Sequence, residues 1–300
     1  MKFLLSDGRR IPAVGLGTYK MKDEEVKDII DYALLEAGYQ HIDAAWIYEN
    51  ERPIGQAVNR ILDSGKLKRE DIWITSKCWN DSHERSQVMS ACKRSLENLG
   101  LEYLDLYLVH WPMGYSNDPE SGLKISDVDY LETWKGMEDV FRAGLAKSIG
   151  VSNFNIDQLE RLLANCNIKP AVNQFEVHPY LSNCELVDYC KSQSVHVTAY
   201  TPIGKGGSSN LSKDPVLVQL SYKYNKTWAQ IALRYNIQRG ISVVPKTSNK
   251  DRLVENISIF DFELTGPEMD AIRDIDREQR MVTFDATKNH PFYPFEEPKD

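Results

Sequence analysis

The chain has no C-x-x-C pair, and its cysteines are odd in number: Cys78, Cys92, Cys166, Cys184 and Cys190. That usage speaks against a disulfide frame or a zinc knuckle and fits reduced thiols, so an intracellular, cytoplasmic setting is expected. No apolar run approaches the roughly 20 residues that cross a bilayer. Phe3–Leu5 is too short for the apolar core of a signal peptide. A soluble protein without a membrane partner is therefore expected. Basic charge is also in deficit: 36 Lys and Arg against 44 Asp and Glu leave a net charge of −8. A nucleic-acid partner, which would normally meet a basic face, is not expected. The dinucleotide fingerprint G-x-G-x-x-G is incomplete, since Gly15-Leu16-Gly17-Thr18-Tyr19-Lys20 lacks its third glycine. Clustered imidazoles are missing as well. His41 and Asp43 form only H-x-D, so no metal site is assigned.

What is present is a rhythm. Phe3–Leu5 and Ile11–Val14 flank an Asp7-Gly8 turn and predict a hairpin. Short apolar strands then alternate with amphipathic helices. Strands are predicted at Tyr39–Asp43, Ile72–Lys77, Leu104–His110, Ala146–Val151, Ala171–Glu176, His196–Tyr200 and Ile241–Val244, with one more including Leu16. Helices follow, several closed by glycine (Gly38, Gly100, Gly144), and Thr265 to Glu268 reads as a capping box. A long polar loop is expected after Trp111, and an irregular aromatic tail over Met281–Asp300. Eight strand–helix repeats imply an α/β (β/α)8 TIM barrel, spanning residues 1–300 as one domain. The N-terminal β-hairpin and a C-terminal substrate-pocket loop are its additions.

Barrel chemistry sits at the carboxyl ends of the strands. Those ends deliver Asp43, Lys77, His110, Ser152, Asn153, Gln174, Glu176, Tyr200 and Lys246, and the loop after Asp43 carries Tyr48. A phenol with a pKa of about 10 donates a proton near neutrality only if its anion is stabilised. Lys77 would stabilise it, and Asp43 would hold Lys77 charged. His110 would orient a carbonyl oxygen. These are parts for carbonyl reduction, with hydride supplied from outside the chain. Lys246, Thr247 and Arg252 precede or open a helix, a setting suited to phosphate. Two cations suit a dianion such as the 2′-phosphate of NADPH. Tyr200 could stack on a nicotinamide ring, with Ser152, Asn153 and Gln174 at its carboxamide. Two other classes compete with this reading: a metal-dependent hydrolase, and a protein that binds nucleotide without turnover.

The chain resembles the aldo-keto reductase superfamily along its whole length, on its aldose-reductase-like or aldehyde reductase branch. The resemblance is carried by Gly38-Tyr39-Gln40-His41-Ile42-Asp43 with Tyr48, and by Leu106 to Pro112. It continues through Ile149 to Phe154, Pro170 to Gln174, and Val244 to Thr247. It implies NADPH-dependent reduction of aldehydes and ketones by Asp43, Tyr48, Lys77 and His110, with Tyr48 as general acid. It implies NADP+ or NADPH held by Ser152, Asn153, Gln174, Tyr200, Lys246, Thr247, Arg252 and Asn256, with Glu255 near the adenine. A monomer is implied, acting on a small-molecule carbonyl. Departures fall on the substrate side: Tyr19 stands where many relatives carry tryptophan, and Trp46 where smaller or imidazole side chains are common. Thr201 and Thr247 replace common serines. The loop after Trp111 and the segment Gly204–Asp214 look short. Tyr19, Ile47, Trp79, Trp111, Val282 and Phe284 are expected to form an apolar wall suited to aromatic, aliphatic or steroid-like carbonyls.

Overall fold

Parallel strands bury both faces, which is why the apolar runs between glycine stops become strands here rather than loops. A computed structural model describes residues 1–118, 122–205 and 209–295. In chain order the strands and helices are β1 (Lys2–Leu4), β2 (Arg10–Pro12), β3 (Leu16–Gly17), α1 (Asp23–Leu35), β4 (His41–Asp43), α2 (Glu51–Asp63), β5 (Trp73–Cys78) and α3 (Arg85–Leu99). Next come β6 (Leu104–Val109), β7 (Tyr115–Asp118), β8 (Gly122–Ile125), α4 (Tyr130–Arg142), β9 (Ala146–Ser152), α5 (Ile156–Asn165), β10 (Val172–Glu176) and α6 (Cys184–Ser192). The chain continues through β11 (His196–Tyr200), α7 (Pro215–Tyr224), α8 (Trp228–Gln238), β12 (Ser242–Val243), α9 (Lys250–Ile257) and α10 (Gly266–Arg273).

Eight strands form one sheet in the order β3-β4-β5-β6-β9-β10-β11-β12. Every pairing within it is parallel. The two ends meet. Val14 bridges Val243 and Gly17 bridges Lys246, both in parallel sense. The Gly15 amide donates to the Val243 carbonyl at 2.8 Å, and the Val243 amide to Ala13 at 2.9 Å. The sheet is thus a closed (β/α)8 barrel, as the alternation predicts.

One end of the barrel is sealed. β1 and β2 pair antiparallel around the Asp7-Gly8 turn, where Gly8 has φ +85°. Leu5 and Ile11 bury against the inward-facing Leu106, Leu108 and Val172. Polar contacts fix this plug: Ser148 donates to Asp7 at 2.5 Å and Arg9 to the Lys147 carbonyl at 2.9 Å. A ligand can therefore reach the strands only from their carboxyl ends.

The helices are stopped and started by side chains that satisfy their terminal amides. Asp129 accepts from Leu131 N, Thr227 from Gln230 N, and Asn249 from Arg252 N. Gly100 ends α3 in the left-handed region at φ +62°. The buried carbonyl of Leu99 accepts from the side-chain amide of Asn59 on α2, 2.8 Å away. That approach requires Gly55, where a Cβ would lie 2.3 Å from Leu99 O.

Two expectations change. The polar loop after Trp111 carries the antiparallel pair β7–β8, whose register runs from Tyr115 opposite Ile125 to Asp118 opposite Gly122. β8 alternates only over Leu123 and Ile125, both exposed, which is too short a pattern to announce a strand. The helix expected from His83 begins at Arg85, after a 3-10 turn at Asn80–Ser82. Of the segment Gly204–Asp214, residues 206–208 lie outside the described residues, as do residues 296–300 of the tail. Among the described residues, no helix is long and apolar enough to cross a membrane.

Burial, and not a partner charge, governs three core histidines. It lowers His41 to about 4, His83 to about 3 and His196 to about 4. In the unfolded chain each would titrate at about 6.5. The unfolded state then takes up protons first as pH falls, so stability is whole above about pH 6.5 and declines below it. At pH 5 each histidine removes up to about 2 kcal/mol. Urea unfolding should show a midpoint that drops between pH 6.5 and 5, above the usual carboxylate range. A flat midpoint across that window would rule this out.

Candidate active site

The open end of the barrel brings four sequence-distant groups together. Asp43 ends β4, and the following 3-10 turn, Trp46–Tyr48, folds Tyr48 back over the rim. Asn50 holds that turn by donating to the carbonyls of Thr18 and Met21, at 2.8 and 3.2 Å. Lys77 comes from the end of β5, and His110 directly follows β6, its amide bound to Cys78 O at 3.0 Å.

Lys77 and Asp43 form a buried ion pair, Nζ to Oδ1 at 2.6 Å, with side chains only 1% and 4% exposed. The ammonium also donates to Ala44 O at 2.9 Å and lies 5.1 Å from the centroid of the Tyr48 ring. The second oxygen of Asp43 accepts from Gln174 Nε2 at 2.8 Å. Burial alone would discharge Lys77, but Asp43 and Tyr48 outweigh it and raise its pKa. Tyr48 moves upward too. Its burial exceeds the opposing pull of the Lys77 charge, so the phenol keeps its proton. The sequence-level expectation of a phenol tuned chiefly by Lys77 is therefore only half of the balance.

His110 lies across from Tyr48, with ring centroids 5.8 Å apart. Burial, with the Lys77 charge, holds its pKa well below the usual imidazole value. It is neutral near pH 7, and its buried Nδ1 has no partner. The site therefore presents a protonated phenol, a fixed ammonium and a neutral imidazole with unused hydrogen-bonding capacity.

The residues expected at a carboxamide are already joined to one another. Ser152 donates to Gln174 O at 2.7 Å, and Asn153 Nδ2 to His110 O at 2.9 Å. Asn153 Oδ1 accepts from Tyr200 at 2.7 Å. Asn153 sits in the left-handed region at φ +62°, which aims its amide between the two strand ends. The group thus fixes the Tyr200 ring and the His110 backbone, while Gln174 spends its amide on Asp43.

The predicted phosphate residues lie around the start of α9. Lys246 and Arg252 are exposed, and neither makes an ion pair among the described residues. Thr247 is buried, its hydroxyl accepting from Asn249 N at 3.1 Å. Asn256 is buried on the same helix. Glu255 is turned toward α8 instead, its carboxylate held by Thr227 at 2.7 Å. Two exposed cations beside a helix start, Arg252 and a Lys246 whose ammonium donates to Ser248 at 3.0 Å, match a dianionic phosphate in charge and donor type.

An aromatic wall borders the tetrad. Tyr19 packs 5.1 Å from Tyr48, and Trp79 5.0 Å from His110. Phe284 closes it, 5.3 Å from Trp111 and 6.1 Å from Trp79. Ile47 and Val282 are half-buried nearby in sequence, while Trp46 turns aside to meet the Arg94 guanidinium at 5.1 Å.

Two participants went unassigned in the sequence. Tyr115, from β7, stands 5.6 Å from Phe284 and 5.9 Å from Trp79. Glu176, fully buried at the end of β10, accepts from the amides of Met281 and Val282 at 2.9 and 3.0 Å, and from His178 at 3.0 Å. It pins the tail that carries Phe284. The only available signal was a carboxylate at a strand end. Among the described residues, no three His, Cys, Asp or Glu side chains converge to hold a metal ion.

The chain is similar to known proteins over nearly its whole length. The model of the Aldo/keto reductase family matches residues 13–277. Aldose reductase B of Dictyostelium discoideum is 45% identical, covering 93% of this chain and 94% of its own. Aldo-keto reductase AKR2E4 of Bombyx mori is 43% identical over 97% of each chain. The solved structure of the aldose reductase from Schistosoma japonicum superimposes with a TM-score of 0.94, at 41% identity and full coverage of both chains. That of Bombyx mori AKR2E4, a complex with NADP, gives 0.92 at 41% identity, covering 98% of this chain and 99% of its own.

The buried pair makes a test of its own. Removing one partner of such a pair typically costs about 3–5 kcal/mol, because the other charge stays buried without compensation. Asp43→Asn should lower the unfolding free energy by about that amount, and adding Lys77→Met should recover part of the loss. Strictly additive losses in urea unfolding would show that the two charges do not depend on each other.

Proposed function

The chain belongs to the aldo/keto reductase family, and we propose that it reduces aldehydes and ketones to alcohols with NADPH, Tyr48 acting as general acid. The observation that carries this reading is the Lys77–Asp43 pair, buried and in contact with a phenol that faces a neutral imidazole. The use of NADPH is supported by similar solved structures that are complexes with NADP and NADPH. It is also supported by the exposed cations Lys246 and Arg252.

NADPH supplies a hydride when bound, which no side chain can do. With hydride so supplied, the Tyr48 hydroxyl would give its proton to the carbonyl oxygen as negative charge develops there, and the C=O double bond would become the C–O single bond of an alcohol. The raised pKa of Tyr48 keeps the proton in place until that charge appears. The Lys77 ammonium, 5.1 Å from the ring centroid, stabilises the phenolate left behind. Asp43 and Ala44 fix the ammonium so that it need not reorganise during the step. His110, uncharged and across from Tyr48, orients the carbonyl oxygen. Asn153 holds Tyr200 as a platform for the nicotinamide, and Ser152 and Gln174 frame it. Lys246, Thr247, Arg252 and Asn256 serve the adenosine phosphate end.

The wall of Tyr19, Ile47, Trp79, Trp111, Val282 and Phe284, extended by Tyr115, offers mostly apolar surface around the reacting carbon. It favours aromatic or other apolar carbonyls over polyhydroxylated ones.

Tyr48→Phe removes only the acid. It should lower turnover of an aromatic aldehyde by roughly 10²- to 10⁴-fold while NADPH affinity stays within about twofold. Equal loss of affinity and turnover would make Tyr48 a structural residue. Across a substrate panel, kcat/KM should be higher for aromatic aldehydes than for aldose sugars. The reverse order would remove the apolar wall as the basis of selection.

A further inference from the structure

At the edge of the phosphate cradle stands an acid. Ser248, two residues after Lys246, accepts from the Lys246 ammonium at 3.0 Å. Its single proton is donated to Glu25 Oε2, also at 3.0 Å. Glu25 belongs to the first turn of α1, far away in sequence, and its carboxylate also reaches the Lys22 amide at 3.4 Å. Lys246, Ser248 and Glu25 therefore form a directed chain that begins on one of the two cations of the cradle. A neighbouring contact has the same polarity: Lys250 pairs with Asp28 of α1 at 3.5 Å. Of the cations Lys246, Lys250 and Arg252, only Arg252 has no acidic side chain of α1 drawn toward it, directly or through Ser248.

This arrangement has a consequence for a dianion. The Ser248 proton is committed to a carboxylate, so the hydroxyl cannot donate to a phosphate without breaking that bond. Lys246 is drawn toward the same side. The Glu25 charge, itself favoured by the Ser248 hydrogen bond and the Lys22 amide, repels a second negative group approaching Lys246. A ribose bearing a free 2′-hydroxyl meets none of these penalties. An uncharged hydroxyl can also donate to a carboxylate.

Resting on the cradle assigned above, we propose that Glu25 is a specificity-determining residue for the coenzyme. By holding Ser248, and Lys246 through it, the carboxylate weakens binding of the 2′-phosphate and lets the unphosphorylated dinucleotide compete. It is a repulsive element built beside an attractive site, and discrimination follows from the difference between them.

Glu25→Gln tests this with little structural change. Glutamine serves equally at the third position of a helix cap, keeps an oxygen for Ser248 and removes only the charge. Isothermal titration of the full chain with NADP+ and with NAD+ gives the readout without turnover. The variant should bind NADP+ roughly three- to fivefold more tightly, the upper scale of an exposed charge interaction, while NAD+ affinity changes by less than about twofold. An unchanged ratio, or weaker NADP+ binding, overturns the proposal. Arg252→Ala separates its failure from that of the cradle. If Arg252→Ala loses NADP+ selectively and Glu25→Gln gains nothing, the cradle stands and Glu25 is a helix cap alone. If Arg252→Ala weakens both dinucleotides equally, the phosphate lies elsewhere and both assignments fall.

Discussion

An ammonium and a carboxylate buried 2.6 Å apart at the mouth of a barrel are the constraint around which the structure is arranged. Taking two such charges out of water costs several kcal/mol per ion, and their attraction offsets this only when every remaining donor and acceptor is met. Each of them is met by a different strand or loop. Asp43 lies on β4, Lys77 on β5, Gln174 on β10, and the Ala44 carbonyl just beyond β4. The pair is therefore stable only when the barrel is closed. Strand closure, with Gly17 bridged to Lys246, and the placement of Tyr48 are parts of one condition.

The two ends of the barrel are treated oppositely, and the difference locates the chemistry. At the amino end, Leu5 and Ile11 fill the bore and Asp7 and Arg9 lock the hairpin to β9. At the carboxyl end the cover is a tail held by discrete bonds, with Glu176 gripping the amides of Met281 and Val282. A buried carboxylate accepting backbone amides forms strong charge-assisted bonds. The tail is thus anchored at one point while Phe284, in the left-handed region at φ +54°, reaches the aromatic wall. Backbone strain of this kind persists where surrounding contacts over-determine a residue, and Trp79, Trp111 and Tyr115 supply those contacts.

How far these features could be read from the chain depends on whether their cause is local. β6 is apolar but for Asp105, and helices such as α4 and α5 carry their own caps, so their bounds follow from local pattern. β7 is polar apart from Tyr115, and β8 alternates only briefly through Leu123 and Ile125, so their pairing is not announced by a buried face. The contact of Tyr115 with Phe284, a residue far along the chain, is likewise invisible in local pattern. That Asp43, Lys77, His110 and Tyr48 meet at one rim could be anticipated because a strand end and a residue type nominate the first three, and Tyr48 follows closely after Asp43. The roles of Ser152, Asn153 and Gln174 were less legible, because a hydrogen bond to a side chain on another strand cannot be counted from a motif. Glu25 shows the same limit. In the sequence it is one of three acidic residues favourable to a helix start, and only the fold puts it against Ser248.

The upward shift of Tyr48 looks at first like a defect in an acid, since a lower pKa would release the proton more readily. Two demands have to be met at once. Before reaction the phenol must be protonated, and burial ensures that by penalising its anion. During reaction the anion must be affordable, and here the partner matters more than the resting pKa. Lys77 is charged, desolvated and already oriented, so its stabilisation grows as negative charge moves onto the phenol. An exposed tyrosine beside a mobile lysine would meet neither demand as well: water would stabilise its anion at rest, and the lysine would have to reorganise. Burial sets the resting state and Asp43 keeps the lysine charged within it, so the cost of the buried pair is what allows one phenol to hold its proton and still give it up.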